Sequence, residues 1–138
     1  MVREFIRNYN FKIMDTELEI QVIKKFIRKE KQKRYIGFVS SSKNRKKFIA
    51  ELAHFKDLSW DLFQEVSDFN PSLISPKLVR DFCYVISEDT SADGSVIPLE
   101  KIPSVIGNGF GMIIVFGQGD QIYYEGEPPY NRYMSKYL

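Results

Sequence analysis

Residues 112–125 read MIIVFGQGDQIYYE, and this stretch decides the fold. Its first five residues are an unbroken apolar run rich in β-branched side chains, which suits a strand covered on both faces. Gly117, Gln118, Gly119 and Asp120 follow as a tight hairpin signal, because glycine supplies positive φ angles without steric cost. Residues 121–125 are more polar, which predicts a strand at the edge of a sheet. Upstream, residues 82–86 (FCYVI) form a second continuous apolar run. The two runs are therefore expected to be neighbouring interior strands, with helices as their cover.

The helices come from the first half of the chain. Thr16 with Glu19 three residues on is a capping-box pattern, and Leu18, Val22 and Phe26 follow at helical spacing with Ile23 and Ile27 beside them. The apolar stripe stops over residues 28–34, where the inward positions near Glu30, Lys33 and Arg34 are charged, and resumes at Tyr35, Ile36, Phe38 and Val39. The helix either runs on past an exposed basic waist or breaks near Gly37. A second helix is expected after Ser41 or Ser42, turning Phe48, Ile49, Leu52 and Ala53 inward. Ser59 is read as the cap of a short third helix through Trp60, Phe63 and Val66 that ends at Asn70-Pro71. Ser75-Pro76 opens one or two more turns, and residues 99–106 hold a short helix limited by Pro103. Beyond Pro128-Pro129, the residues Tyr130, Tyr133, Met134 and Tyr137 are at helical spacing, and this tail is expected to dock on the body, since a free tail would expose its tyrosines. The resulting expectation is an α+β fold with N-terminal helices packed on a small, about three-stranded, sheet.

The 138 residues are the length of one domain, with a basic helical part at about 1–81, an acidic sheet-containing part at about 82–127 and a tail at 128–138. The net charge of +2 conceals a lopsided layout. Residues 1–47 carry 14 Lys and Arg against 5 Asp and Glu, whereas residues 48–138 carry 6 against 13. Such asymmetry points to nucleic acid or another acidic surface, although the halves can also neutralise each other. Arg3, Glu4, Arg7 and Lys12 interrupt the first residues as no signal peptide would, and residues 110–116 are too few to span a bilayer, so no membrane contact and a cytoplasmic location are expected. Cys83 is the only cysteine, which excludes a disulfide within these residues and fits a reducing compartment. Together with the single His54, it also excludes a zinc site built from several Cys and His.

Two places invite functional readings. Lys43, Arg45, Lys46 and Lys47 follow Ser41 and Ser42 where a helix should begin. Positive charge there opposes the helix dipole by about 0.3–1 kcal/mol per residue unless an anion sits among the cations. With Lys24, Lys25, Arg28, Lys29, Lys31, Lys33 and Arg34 of the waist, these residues form a candidate phosphate-binding set. If they act together, changing Arg45 and Lys46 to alanine weakens binding and leaves stability unchanged or slightly improved. The second place is the loop 89–100, where Asp89, Ser91, Asp93 and Glu100 fall at calcium-loop positions 1, 3, 5 and 12, with Gly94 at position 6. Ile97 breaks that pattern, and the segment before it reads as strand, so an acidic turn with Asp93-Gly94 at a positive φ angle is the simpler expectation.

Other motifs point to structure. Cys83 and His54 resemble a nucleophile and base, but an apolar strand disfavours the thiolate. Residues 107–111 (GNGFG) lead from helix into strand, opposite to a phosphate loop. Trp60, Phe26, Tyr35 and Phe38 have faces on which bases can stack, yet their spacing suits a core. No catalytic residue or cofactor is predicted.

The segments SSKNRKKFIAELAHFKDLSW (41–60), FCYVISEDTSADGSVIPLEKI (82–102) and GNGFGMIIVFGQGDQIYYEGE (107–127) resemble a family of small uncharacterised bacterial proteins, a domain of unknown function. The resemblance spans about residues 24–127. It implies no activity, and it implies that the strand at 83–87 and the Asp93-Gly94 turn belong to a shared scaffold. The function expected from the residues is that of a non-enzymatic binding or regulatory protein engaging nucleic-acid phosphates through a basic helical surface. The alternative is an interaction module that docks an acidic protein, and a small metal-dependent enzyme ranks behind both.

Overall fold

The computed structural model describes residues 11–79, 82–129 and 131–137, so the readings of residues 1–10 and of Tyr130 lie outside the described residues. The strands are β1 (Phe11–Lys12), β2 (Phe63–Glu65), β3 (Cys83–Ser87), β4 (Ser95–Ile97), β5 (Met112–Phe116), β6 (Gln121–Glu125) and β7 (Arg132–Ser135). They form a seven-stranded antiparallel sheet in the order β1-β4-β3-β5-β6-β7-β2. The α-helices are α1 (Thr16–Phe26), α2 (Gln32–Val39), α3 (Ser42–Glu51) and α4 (Ile102–Val105).

The sheet sorts its apolar residues by the two-residue period of a strand. Tyr84 and Ile86 of β3, Ile113 and Val115 of β5, and Ile122 and Tyr124 of β6 join a core with Val22, Ile23, Phe26, Tyr35, Val39, Phe48 and Leu52 of the helices. Their neighbours Cys83, Val85, Met112, Ile114, Phe116, Tyr123 and Met134 face the other way, into a second core with Ile74, Leu78 and Ile102. Every residue of β3, β5 and β6 is buried. The expectation of adjacent interior strands holds, with Val85 opposite Ile114 in register. Only one face, however, is covered by N-terminal helices. The other is covered by the irregular chain around Ile74 and Leu78 and by the short α4, with Phe69 stacked on Phe116 at 6.2 Å.

Four expectations are corrected. Among the described residues the sheet has seven strands and not about three, because the short segments β1, β2, β4 and β7 join it. Residues 60–66 do not form a third helix: a 3-10 turn at Trp60–Leu62 leads into β2, which pairs with β7. The tail docks, as expected, but as strand β7 between β6 and β2. Residues 121–125 are not an edge, since their polar ends are buried and satisfied from within. The Gln121 amide accepts from the Ser75 N–H at 2.7 Å and donates to the carbonyls of Leu73 and Ser135. Glu125 accepts from the Tyr123 hydroxyl, from Arg132 and from the Gly107 N–H.

Helix boundaries also shift. Asp15, not Thr16, caps α1 by accepting from the Leu18 N–H at 3.1 Å. Helix α1 ends at Phe26, well before Gly37, because Ile27 turns extended and bridges Leu58. The Gln32 side chain then donates to the carbonyls of Lys24 and Ile27, closing the helix end. Gly37 lies within α2. The second expected helix is present as α3, capped by Ser41. After Ser75 the chain makes a turn, in which the Leu78 N–H donates to the Ser75 carbonyl at 2.8 Å.

Candidate functional site

The basic residues of 24–47 fall into three groups. Lys24 and Lys25 occupy the last turn of α1, where the helix dipole favours cations. Lys25 Nζ donates to the Asp120 carbonyl at 3.1 Å and lies 5.4 Å from the Phe26 ring centre, so it braces the hairpin. Arg28 pairs with Glu30 at 2.5 Å, with both side chains about half exposed. Lys29 and Lys31 stand on the 3-10 turn Lys29–Lys31 without an ion pair among the described residues.

The second group lies on α2 and α3. Arg34 of α2 sits 5.3 Å from the centre of the Phe38 ring, and Lys47 of α3 sits 5.9 Å from the same ring. Arg34 also reaches Glu51 at 3.6 Å. Two basic runs separated in sequence thus meet at one aromatic ring. On the same two helices Lys33, Lys43 and Lys46 are exposed and make no ion pair among the described residues, and Lys46 lines a groove with Arg45, Ile49 and Glu88. Ser42 is exposed at the start of α3, while the Ser41 hydroxyl is used by the helix and accepts from the Asn44 N–H at 3.4 Å.

Arg45 is the third group, and it overturns the reading of residues 43–47 as one site. Its side chain is 12% exposed and is gripped by two carboxylates. Nε and Nη2 donate to Glu19 at 2.9 and 2.7 Å, while Nη1 and Nη2 donate to Asp93 at 2.5 and 2.9 Å. The Tyr84 hydroxyl donates to Glu19 at 2.6 Å, and Asp93 accepts from the Ser87 N–H at 3.0 Å. Burial works against the Arg45 charge, but the hydrogen bonds that it donates to Asp93 and Glu19 outweigh it and raise its pKa above the ordinary arginine value. Burial and the Glu19 charge push the Tyr84 phenol well above its ordinary range.

This cluster ties α1, α3 and the 89–94 turn together, and Glu19 and Tyr84 are its members that sequence reasoning missed. A signal was present. Glu19 stands at i, with Val22, Ile23 and Phe26 at i+3, i+4 and i+7, and Arg45 stands in the same relation to Phe48, Ile49 and Leu52. Opposite charges on the inward stripes of two helices require each other, because an unpaired buried charge is costly.

The same contacts engage carboxylates of the calcium-loop pattern. Asp93 is committed to Arg45, and Asp89 accepts from the N–H and hydroxyl of Ser91 at 3.0 and 2.7 Å within its own turn. Strand β4 runs through residues 95–97, and Glu100 is exposed on the turn Leu99–Lys101. No group of three or more acidic, Cys or His residues that could hold a metal ion occurs among the described residues. Gly94 does adopt the positive φ of the expected turn, at 78°.

The remaining motifs are placed as follows. His54 contacts Glu127 at 2.7 Å on the surface, while Cys83 is buried in the core opposite the helices. The Gly107 N–H donates to Glu125 at 2.6 Å, so the glycine-rich turn already holds a carboxylate of its own chain. Phe26 and Tyr35 are buried, but Trp60 is 38% exposed. It borders an open groove of about 400 Å³ whose lining includes Arg28, Lys29, Glu30 and Asp61. No helix among the described residues is long and apolar enough to cross a membrane. No family model, curated protein or solved structure matches this chain.

Proposed function

We propose that this protein is a non-enzymatic binding protein that engages the phosphates of nucleic acid through the exposed cations of α2 and α3. The observation that carries the reading is the convergence of Arg34 and Lys47 on the Phe38 ring. It brings two basic runs to one ring, and Lys33, Lys43 and Lys46 of the same helices are exposed. Lys29, at the start of that run, lines the same groove as Trp60.

Arg45 is withdrawn from the binding set, since its donors point into carboxylates. Lysines acting as mobile point charges position a phosphate backbone without reading sequence, so binding is salt-sensitive and weakly selective. The acidic-protein alternative would be served by an exposed apolar centre inside a charged rim. Here the ring at the centre is covered by cations, which favours phosphates. The resemblance to small bacterial proteins supplies no activity and carries no part of this reading.

The test is the affinity of the wild-type protein for random-sequence oligonucleotides across a range of salt. The expected result is a linear fall of log K with log salt, with a slope of roughly −0.7 to −0.9 per phosphate contacted. A protein with no salt-dependent affinity for any nucleic acid would overturn the proposal.

A further inference from the structure

Resting on the nucleic-acid reading above, we infer that the groove at Trp60 holds one unstacked base, so that the ligand is single-stranded nucleic acid rather than duplex. The groove is built on fixed backbone. The Arg28 N–H donates to the Asp57 carbonyl at 2.8 Å, the Ser59 N–H donates to the Phe26 carbonyl at 2.7 Å, and Ile27 bridges Leu58 between them.

The indole is fixed as well. Its N–H donates to the Lys56 carbonyl at 3.2 Å, and its ring packs against Tyr133 and Phe63 with centroids 4.7 and 6.0 Å away. A large aromatic surface is thus held in one orientation before any ligand arrives, which lowers the entropy lost on binding. A sequence-tolerant stacking platform has this form, because every base offers a π face. Bases inside a duplex have both faces covered by their neighbours and cannot use it.

The charges around the groove sort the two parts of a nucleotide. Lys29 makes no ion pair among the described residues and begins the run that continues to Lys31, Lys33 and Arg34. Lys29, which lines the groove, attracts the phosphates. Glu30 is held by Arg28, while Asp61 repels phosphate and offers an acceptor to the exocyclic amino group of a base. The backbone is thereby directed along the lysines and the base toward Trp60.

Trp60 is the only tryptophan in the chain, so its emission reports on this groove alone. Thymine oligonucleotides and a duplex of equal length are titrated at matched salt, with anisotropy of a labelled strand as an independent measure of binding. The single strand is expected to quench Trp60 saturably and to bind more tightly than the duplex. Trp60→Ala is expected to lower single-strand affinity about ten- to a hundredfold with the salt slope unchanged. Trp60→Phe, which keeps an aromatic ring on Tyr133 and Phe63, should recover most of the loss and serves as the control for folding. Equal binding of both forms, with no quenching and no effect of Trp60→Ala, would overturn this inference and leave the phosphate reading standing. Absence of salt-dependent binding to either form would overturn both.

Discussion

Arg45 and Lys46 are adjacent in helix α3 and have opposite surroundings. The first is 12% exposed and spans Glu19 and Asp93, whereas the second is exposed and makes no ion pair among the described residues. The difference is the rotation of about 100° that separates neighbours on a helix, which brings position 45 onto the stripe of Phe48 and Leu52 and leaves 46 outside it. A basic run at a helix start is therefore two things at once. One cation joins the helix to the rest of the fold, and the others are available to a ligand.

The sharpest way to break this comparison is to remove each side chain in turn. Arg45→Ala leaves Glu19 and Asp93 buried without their cation and is expected to cost about 3–5 kcal/mol in denaturant unfolding. Lys46→Ala should stay within about 0.5 kcal/mol of the wild type. Equal, small effects at both positions would show that the Arg45 cluster does not hold the fold together. The earlier expectation that removing Arg45 costs no stability is reversed, because it treated all four cations as solvated.

Tyr84→Phe sharpens the same point with a smaller effect. It removes the hydrogen bond to Glu19 and the acceptor for the Asp15 N–H, at an expected cost of about 1.5–3 kcal/mol. The phenols also set a pH dependence. Burial, assisted by neighbouring carboxylates, raises Tyr35, Tyr84 and Tyr123 well above the ordinary phenol range, and burial pushes Tyr124 up to about 12. A raised folded-state pKa means that the native state holds the proton longer than the unfolded chain. The stabilisation is complete below the unfolded phenol pKa of about 10 and is lost as pH rises through the folded values. Unfolding at increasing pH, followed by circular dichroism and by phenolate absorbance, should show these tyrosines ionising together with loss of structure. Phenols that all titrate near pH 10 in the intact fold would contradict their burial.

What could be read from the sequence was what is locally determined. Strands β3 and β5 announce themselves as unbroken apolar runs, and α3 begins at Ser41 with its apolar stripe in view. Strands β2 and β7 could not be read in this way. Trp60, Phe63 and Val66 fit helical spacing, but the partner that makes Phe63 a strand residue is Ser135, 72 positions away. Gln121 and Glu125 looked like edge residues because polarity usually marks solvent, whereas here each is buried at one end of an interior strand with its hydrogen bonds satisfied. At the candidate site the run of positive charge was legible, but which of its side chains turn inward was not. Arg45 was misassigned because the run of charge was weighed before the face of the helix.

Salt dependence of nucleic-acid affinity in the wild type and in Lys46→Ala/Lys47→Ala tests the account most directly, since these two residues are predicted to contact phosphate and to contribute little to the fold. The account predicts weaker binding and a slope of log K against log salt flatter by roughly one to two units, with unfolding changed by no more than about 0.5 kcal/mol per residue. Identical slopes and affinities for the two proteins would contradict it.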